Sequence, residues 1–176
     1  MTRHSEQRLL PYSAAEMYDL VADVARYPEF LPWTAAARIT RRVPLAGGPE
    51  GSEVMEADLV ISFKLFRERF ASRVTLLPKH RIETEYLDGP FKHLKSHWTF
   101  AKTASAGEAG GCQVGFEVDF EFRNRVLQGI IGVVFNEAMQ RVVRAFEKRA
   151  VALYGVRPVM TRSSGEASPP APPRDI

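Results

Sequence analysis

The sequence predicts an α+β fold: one curved antiparallel sheet of about seven strands around a long C-terminal helix, with two short helices after the first strand. Between residues 35 and 123, apolar and polar side chains alternate with a period of two over several segments, as in strands with one dry face and one wet face. From Leu127 to Leu153 the apolar residues recur at helical spacing instead. Because one helix cannot cover such a sheet completely, side chains or a ligand must fill the remaining space on the dry face.

The first strand is predicted at about 3–9, and the first helix at about 14–25. Ser13 and Glu16 have the S-x-x-E spacing of a capping box, which satisfies free backbone amides at the start of a helix. Apolar residues follow at helical spacing, namely Met17, Leu20, Val21 and Val24.

The segment YPEFLPW at 27–33 follows this helix and concentrates aromatic residues at a chain reversal. Pro28 suits the first turn of a second, very short helix, which Pro32 ends. The three rings belong to Tyr27, Phe30 and Trp33. In the simplest interpretation, the segment is an ordinary helix stop and Phe30 anchors it to the core.

Six further strands are predicted, at about 35–43, 53–65, 67–77, 81–86, 92–101 and 112–123. Their dry face is rich in aromatic residues: Phe63, Phe70, Tyr86, Trp98, Phe116, Phe120 and Phe122. These rings either pack together as an ordinary core or line a deep apolar pocket, since pockets for small molecules have a similar composition. The periodicity does not choose between the two.

The long C-terminal helix is predicted from its apolar stripe: Leu127, Ile131, Phe135, Met139, Val142, Phe146, Ala150 and Leu153. Gly155 is placed to end it. Gly129 and Gly132 favour a close approach of the helix to the sheet; the alternative is a weakened helix half that flexes. The folded domain is therefore predicted at 1–155, and the Pro- and Ser-rich segment at 156–176 is predicted to be a disordered tail.

Composition and charge are those of a soluble globular protein. The 176 residues include 24 Lys and Arg against 21 Asp and Glu, which leaves a net charge of +3. This balance permits contact with anionic lipid or RNA, but the dense basic stripe of a dedicated nucleic-acid binder is missing, so DNA binding is not predicted. Cys112 is the only cysteine, which excludes an intramolecular disulfide. We find no pattern of a secretory signal or a membrane span and expect a cytoplasmic protein.

The predicted dry face argues against catalysis. On the predicted strands it carries no His, Lys, Arg, Asp or Glu, and its polar groups are Ser72, Thr84, Tyr86, Ser96 and Cys112. General acid–base catalysis needs a group that titrates near the working pH, and a hydroxyl nucleophile needs an adjacent base. We therefore expect no catalytic residues and no cofactor.

His93 and His97 have a spacing that suits a metal site on a helix. On the predicted strand, however, they lie about 13 Å apart, at about 3.3 Å per residue, and face water. The strand prediction therefore argues against a metal site.

Three segments together resemble one family: YPEFLPW at 27–33, GPFKHLKSHWTF at 89–100 and VGFEVDFEFRNRVLQGIIGVVF at 114–135. They are similar to the coenzyme Q-binding proteins of the START-like, polyketide cyclase/dehydrase superfamily, whose bacterial branch includes proteins called ribosome association toxin RatA. The resemblance covers residues 3–154 and implies a helix-grip fold, in which a curved antiparallel sheet grips a long C-terminal helix around a hydrophobic tunnel.

The resemblance also implies binding of ubiquinone or a similar polyprenyl lipid, without turnover, in support of respiration or quinone biosynthesis. The residues expected to line the tunnel are Phe63, Tyr86, Leu94, Ser96, Trp98 and Phe120 from the sheet, and Val134 and Met139 from the helix. The tryptophan of the family's strand motif falls on Trp98. Ser96, Thr84 or Tyr86 is expected to donate a hydrogen bond to a quinone carbonyl.

Tyr27, Phe30 and Trp33 are then expected to form a stiff lid over the open end of the tunnel. The same rings would face the membrane during lipid transfer, since aromatic side chains suit the membrane interface. We accordingly expect transient, peripheral contact with the inner membrane.

Two other functions stay open. The resemblance to RatA and a set of basic residues favour a translation inhibitor that binds the large ribosomal subunit; these residues are Arg41, Arg42, Arg141, Arg144, Lys148 and Arg149. A solvated helix face explains the same residues equally well. The superfamily name also permits a polyketide cyclase or dehydratase, which would require His, Asp or Glu side chains inside the tunnel.

Overall fold

A computed structural model describes residues 2–63, 65–103 and 111–157, and it confirms the predicted α+β architecture. In chain order, the elements are β1 (Thr2–Leu10), α1 (Ala14–Ala22), a 3-10 helix (Val24–Glu29), β2 (Thr34–Pro44), β3 (Glu53–Phe63), β4 (Phe66–Leu77), β5 (Arg81–Asp88), β6 (Phe91–Thr103), β7 (Gly111–Phe122) and α2 (Arg125–Tyr154).

The seven strands form one antiparallel sheet in the order β1-β7-β6-β5-β4-β3-β2. Strands β2 to β7 follow one another as a meander, and β1 joins the sheet at its far edge beside β7. The register shifts between Thr34 and Ala36, between Ile39 and Arg41, between Ala71 and Ser72, and between Phe91 and His93. Such bulges increase the local bend and twist of a strand, which suits a sheet that curves around a helix.

The capping box of α1 forms as predicted. The Glu16 amide donates to the Ser13 hydroxyl at 3.1 Å, and the Ser13 amide donates to the Glu16 carboxylate at 3.0 Å. The predicted end at residue 25 is wrong, because Asp23 leaves the helical conformation with φ −82° and ψ 63°. A 3-10 helix follows directly and contains Pro28 inside it, whereas we predicted that Pro28 would begin the second helix.

Helix α2 begins at the cap residue Asn124, whose side chain accepts hydrogen bonds from two backbone amides of the first turn. The predicted stripe faces the sheet at its buried positions: Leu127, Phe135, Phe146 and Ala150. Leu153 is 50% exposed, contrary to the prediction. Its neighbour Tyr154 turns inward instead and donates from its hydroxyl to the Glu16 carbonyl at 3.0 Å, which ties the helix end to α1.

The side chains predicted on the dry face are buried or half-buried on strands β3 to β7. Cys112 is completely buried, and burial raises the pKa of its thiol to about 11. The first strand, however, contradicts the prediction of a dry face without charges. His4, Glu6 and Arg8 pair in register with Val118, Phe116 and Val114 of β7. Directly paired residues of neighbouring strands share a face, so these three polar side chains point inward.

Ordered contacts extend slightly beyond the predicted domain boundary at 155. Arg157 makes two hydrogen bonds to the carboxylate of Glu16, at 2.7 and 3.0 Å. Apart from residues 156 and 157, the predicted disordered tail at 156–176 lies outside the described residues. Within the described ranges, no helix is long and apolar enough to span a membrane.

Candidate functional site

An apolar cavity of about 420 Å³ lies between the N-terminal half of α2 and the dry face of the sheet. Its apolar lining consists of Trp33, Ile61, Phe63, Phe70, Phe91, Leu94, Val118, Phe120, Phe122, Ile131, Val134, Phe135, Ala138 and Met139. Glu137 and Arg141 of α2 are the charged residues of the lining. Both the size and the composition are those of sites that bind small apolar molecules.

Five of the eight residues predicted to line a tunnel lie around this cavity: Phe63, Leu94, Phe120, Val134 and Met139. They come from β3, β6, β7 and α2, so the fold brings together side chains that are distant in sequence. Val134 lies beside the main apolar stripe of α2, yet it contributes to the lining.

The other three predicted residues lie elsewhere. The hydroxyl of Tyr86 donates to the carbonyl of Gly89, within the turn that follows β5, rather than toward the cavity. The ring of Trp98 packs against Phe116 at 4.4 Å and Phe146 at 4.8 Å between centroids, and only 7% of the residue is exposed. Ser96 is half-buried on the dry face of β6 but is not among the lining residues.

Phe91 is a lining residue that the sequence analysis missed. Its ring contacts Phe70 at 5.4 Å, Phe120 at 5.9 Å and Phe122 at 4.6 Å, so it links three strands around the cavity. The bulge between Phe91 and His93 explains the omission. Strict alternation puts Trp98 and Leu94 on the dry face and odd-numbered residues, including Phe91, on the wet face. The bulge moves Phe91 to the dry face. Gly89 and Pro90, directly before Phe91, form a turn signal, which indicates that the strand begins at 91 and not at 92.

The three aromatic residues of the segment at 27–33 occupy two places, the core around Phe146 and the edge of the apolar cavity. Tyr27 donates from its hydroxyl to the Val21 carbonyl, and its ring packs on Phe146 at 5.5 Å. Burial raises the pKa of the Tyr27 hydroxyl far above its ordinary value. Phe30 packs on the same Phe146 at 5.3 Å, whereas Trp33 lines the cavity and contacts Phe63 at 5.7 Å. Of the three predicted lid residues, the fold therefore places only Trp33 at the cavity.

Gly129 and Gly132 lie in the half of α2 that covers the cavity. Both are exposed, and a Cβ atom added to either would meet no heavy atom within 4 Å. The expectation that they permit a close approach of helix and sheet is therefore wrong. What remains is their effect on the helix itself, since each glycine weakens a helix by about 1 kcal/mol relative to alanine.

The inward-facing polar residues of β1 form a connected chain beside a much smaller cavity. His4 Nε2 lies 3.0 Å from a Glu6 carboxylate oxygen, Arg8 binds the other oxygen at 2.5 Å, and Arg8 Nε lies 3.7 Å from Glu147 of α2. Burial opposes ionisation of Glu6, but the hydrogen bonds from His4 and Arg8 outweigh it and hold the pKa of the carboxyl below its ordinary value. The carboxyl group of Glu6 is therefore a paired carboxylate and not a free acid.

This polar chain is separate from the apolar cavity. His4 packs edge-on against the lining residue Phe135, with 6.1 Å between centroids. His4, Glu6 and Arg8 are not themselves among the lining residues.

His93 and His97 lie on strand β6, on the opposite, wet face, and each is paired with a carboxylate of β7. His93 Nε2 lies 3.0 Å from Asp119, and His97 Nε2 lies 3.0 Å from Glu117. The two imidazoles thus belong to separate cross-strand pairs between β6 and β7.

Comparison with known proteins relates the chain to one family and to several named relatives. Residues 10–147 match the family model described as polyketide cyclase / dehydrase and lipid transport. A ribosome association toxin RatA from Pseudomonas aeruginosa is 34% identical over 156 residues, covering 88% of this chain and 100% of the relative. RatA from Escherichia coli K12 is 36% identical, covering 89% and 92% of the two chains. The coenzyme Q-binding protein COQ10 homolog B of Xenopus laevis, a mitochondrial protein, is 33% identical, covering 86% of this chain and 59% of the relative.

Solved structures share the fold over nearly the same range. An 18 kDa protein from Caulobacter crescentus matches with a TM-score of 0.70 and 29% identity, covering 89% of this chain and 100% of that chain. A START superfamily protein from Mycobacterium smegmatis has a TM-score of 0.68, with 17% identity and coverage of 86% and 98%. The Zhui aromatase/cyclase from Streptomyces has a TM-score of 0.68, with 17% identity and coverage of 88% and 99%. At 17% identity, the last two matches show a shared fold alone.

Proposed function

Because the chain belongs to the polyketide cyclase/dehydrase and lipid transport family, we propose that it binds ubiquinone or a similar polyprenyl lipid in the apolar cavity under α2. In this proposal it acts as a quinone carrier or chaperone that supports respiration or quinone biosynthesis. The observation that carries the proposal is the lining of the cavity, which is aromatic and aliphatic except for Glu137 and Arg141. The relative named as a coenzyme Q-binding protein supports the choice of ligand.

The physical basis is the transfer of a prenyl tail out of water. Each Å² of apolar surface that leaves water contributes about 25 cal/mol, so a dry cavity holds such a tail with few hydrogen bonds. The edge-to-face arrangement of Phe91 and Phe120, 5.9 Å apart, offers aromatic surfaces to a quinone ring. Since the Tyr86 hydroxyl is engaged by Gly89, the proposed donor to a quinone carbonyl is Arg141, the cationic residue of the lining.

The proposal includes binding without turnover. His4 and Glu6 face the interior, as a cyclase or dehydratase would require, and they are the observation that favours such an enzyme. However, the Glu6 carboxylate is bound by both His4 and Arg8, and Glu6 and Arg8 line a separate small cavity. A carboxylate held ionised by two cationic or donor partners is a poor general acid. These contacts support a structural role for the polar chain.

The direct test is organic extraction of the purified protein, followed by mass spectrometry of the extract. We expect ubiquinone in a native preparation, or in one incubated with ubiquinone and then separated from free lipid. A known quinone-binding protein treated in parallel controls the extraction. Absence of quinone from both preparations, with a positive control, would contradict the proposal.

A second candidate function is binding to the large ribosomal subunit. It is favoured by relatives named RatA that are 34% and 36% identical and are covered over 92–100% of their length. The basic residues that suggested it lie on two elements: Arg41 and Arg42 on the edge strand β2, and the other four on α2. Sedimentation with ribosomes through a sucrose gradient at physiological salt tests this function. Comigration with the large subunit would support it, and its absence from that peak would count against it.

A further inference from the structure

A second concave site lies on the outer side of α2, and we call it the cationic cleft. It has a volume of about 620 Å³ and is bounded on one side by residues 28–32. The other wall is the C-terminal half of α2, which contributes Arg141, Arg144, Ala145, Lys148, Arg149 and Ala152. The cleft therefore combines four cationic side chains and one carboxylate, that of Glu29, with apolar walls.

The positive charge of this cleft is only partly compensated. Arg149 pairs with Glu29 at 2.9 Å, and Arg141 pairs with Glu137 at 2.9 Å. Within the described part of the chain, neither Arg144 nor Lys148 forms an ion pair; Arg144 Nε donates to the Gln140 carbonyl at 3.3 Å. Like charges three or four residues apart on a helix repel each other. An anion in the cleft would relieve that repulsion.

The cationic cleft adjoins the apolar cavity. Arg141 lines both, and the cleft residues Phe30, Leu31 and Pro32 are followed directly by Trp33 of the cavity. A ligand whose hydrocarbon tail occupies the cavity and whose head emerges beside Arg141 thus reaches the cations of the cleft. A neutral quinone head that accepts a hydrogen bond from Arg141 leaves the other three cations of the cleft unused.

We propose that the cationic cleft binds the phosphate groups of a prenyl phosphate or diphosphate whose tail occupies the apolar cavity. This inference rests on the proposed function, because it uses the same cavity for the prenyl tail. Guanidinium groups match phosphate oxygens with paired hydrogen bonds, and a lysine ammonium adds a compact charge. The ligand class is thus an anionic prenyl lipid, taken up in addition to neutral quinones.

The shape of the cleft distinguishes this ligand from other carriers of phosphate. A nucleic acid would need a continuous basic track along an exposed surface. Here the cations line a concavity that is walled by Phe30, Leu31 and Pro32 and adjoins the cavity at Arg141. An amphiphile with one charged end matches this combination of apolar and cationic surface.

The test compares farnesyl diphosphate with farnesol, which has the same tail and no charge, by isothermal titration calorimetry. We expect the wild type to bind the diphosphate at least about tenfold more tightly than the alcohol. The double variant Arg144→Gln/Lys148→Gln should lose most of this preference, while its affinity for farnesol and its retention of ubiquinone stay unchanged. Arg38→Gln/Arg41→Gln, which removes the same charge from exposed positions of β2, is the matched control and should keep the preference.

Three results would overturn the inference: equal affinity for diphosphate and alcohol, an unchanged preference in the cleft variant, or an equal loss in the control. Vesicles of phosphatidylglycerol and a short single-stranded RNA serve as further arms. If either binds the wild type through Arg144 and Lys148 while farnesyl diphosphate does not, the cleft is a membrane or RNA contact and the inference fails. Retention of ubiquinone in the same preparations separates this failure from failure of the proposed function.

Discussion

Trp33 has an unusual backbone conformation at the edge of the apolar cavity. Its φ of 62° lies in the left-handed region, which is uncommon for a bulky residue. Two contacts hold it there: its carbonyl accepts a hydrogen bond from the Ser62 amide at 2.8 Å, and its ring packs on Phe63. Residues kept in sparsely populated conformations cluster at ligand sites, which supports a role for Trp33 in admitting the ligand.

We expect Trp33→Ser to slow the exchange of ubiquinone between the protein and liposomes, because the aromatic surface at the cavity is lost. The melting temperature of this variant should change little, because Trp33 borders a cavity and its removal only enlarges that cavity. Exchange is measured with a fluorescent quinone analogue and unfolding by circular dichroism. An exchange rate equal to that of the wild type would reduce Trp33 to a packing residue.

Phe30→Ser is the informative comparison, and the structure changes what we expect of it. Sequence patterns provided no reason to separate Phe30 from Trp33, because both were predicted to belong to the lid. Phe30, however, packs on Phe146 and lies under the guanidinium of Arg149 at 5.1 Å. We therefore expect this variant to lose about 2–3 kcal/mol of unfolding free energy, measured by urea denaturation. Full stability would show that these contacts contribute little.

Trp98 was predicted to line the tunnel, and in the structure its buried ring packs between Phe116 and Phe146. We expect Trp98→Phe to lower the free energy of unfolding by about 1–3 kcal/mol, because a smaller ring leaves a gap between Phe116 and Phe146. Retention of ubiquinone per folded molecule should be unchanged. A stable variant that fails to retain ubiquinone would instead place Trp98 in the ligand site.

At the scale of elements, α2 has two unequal halves. Its C-terminal half is fixed by Phe146 against Trp98 and by Tyr154 against α1. Its N-terminal half covers the cavity and contains both exposed glycines. Because glycine lowers helix stability, we expect this half of α2 to open at a lower cost than the other half in the proposed uptake of a ligand.

We expect Gly129→Ala/Gly132→Ala to raise the free energy of unfolding by about 1–2 kcal/mol, since neither added methyl group meets a neighbour within 4 Å. The same variant should exchange ubiquinone more slowly, because opening the first half of α2 costs more. Chemical denaturation and the liposome exchange assay measure the two effects. A stabilised variant with unchanged exchange would show that the ligand enters by another route.

Helix α1 is anchored to the end of the domain through Glu16. The Arg157 guanidinium is the main cause that holds the pKa of the Glu16 carboxyl below its ordinary value of 4.5. A group whose folded pKa is lowered contributes its full stability above its ordinary pKa, and this contribution is lost as the pH falls from that value through the lowered pKa of the folded state. The pairing therefore stabilises the fold at neutral pH and disappears in acid.

We expect Glu16→Gln to lower the melting temperature by about 2–4 °C at pH 7, and the difference from the wild type to vanish in acid, once the pH lies below the lowered pKa of the Glu16 carboxyl. Glutamine still accepts the hydrogen bond of the capping box, so the variant isolates the charge. Arg157→Gln should cause a similar loss, and the double variant no more than either alone. A loss that persists unchanged in acid would contradict the assigned cause.

At the scale of the whole molecule, the fold follows from periodicity because one dry face and one helical stripe dictate how the layers pack. Strand β1 was predicted, but the inward direction of its polar side chains was not. Both of its faces carry polar residues, and only its register with β7 decides which of them point inward. Periodicity did not assign Phe91 to the dry face because a bulge changes the period of β6 at this residue. Patterns within single strands cannot show either effect.

The position of the cavity also depends on the assembled molecule. Under the C-terminal half of α2, the rings of Trp98, Phe116 and Phe146 leave only the much smaller cavity between helix and sheet. Under the N-terminal half, the rings of Phe91, Phe120 and Phe135 leave an opening. In the sequence, the aromatic residues of the core and those of the cavity lining have the same spacing. Only the half of α2 under which each ring lies separates the two groups.

The most direct test of ligand binding in this cavity is native mass spectrometry with a short-tailed ubiquinone, comparing the wild type with Ala138→Phe. Ala138 lines the cavity, so a phenylalanine there fills space that the ligand needs. Ala101→Phe, at an exposed position of β6, is the matched control. We expect a one-to-one complex for the wild type and the control, and binding at least about tenfold weaker for the folded Ala138→Phe variant. Equal binding by all three proteins, or no complex with the wild type, would contradict the assignment of this cavity to a prenyl quinone.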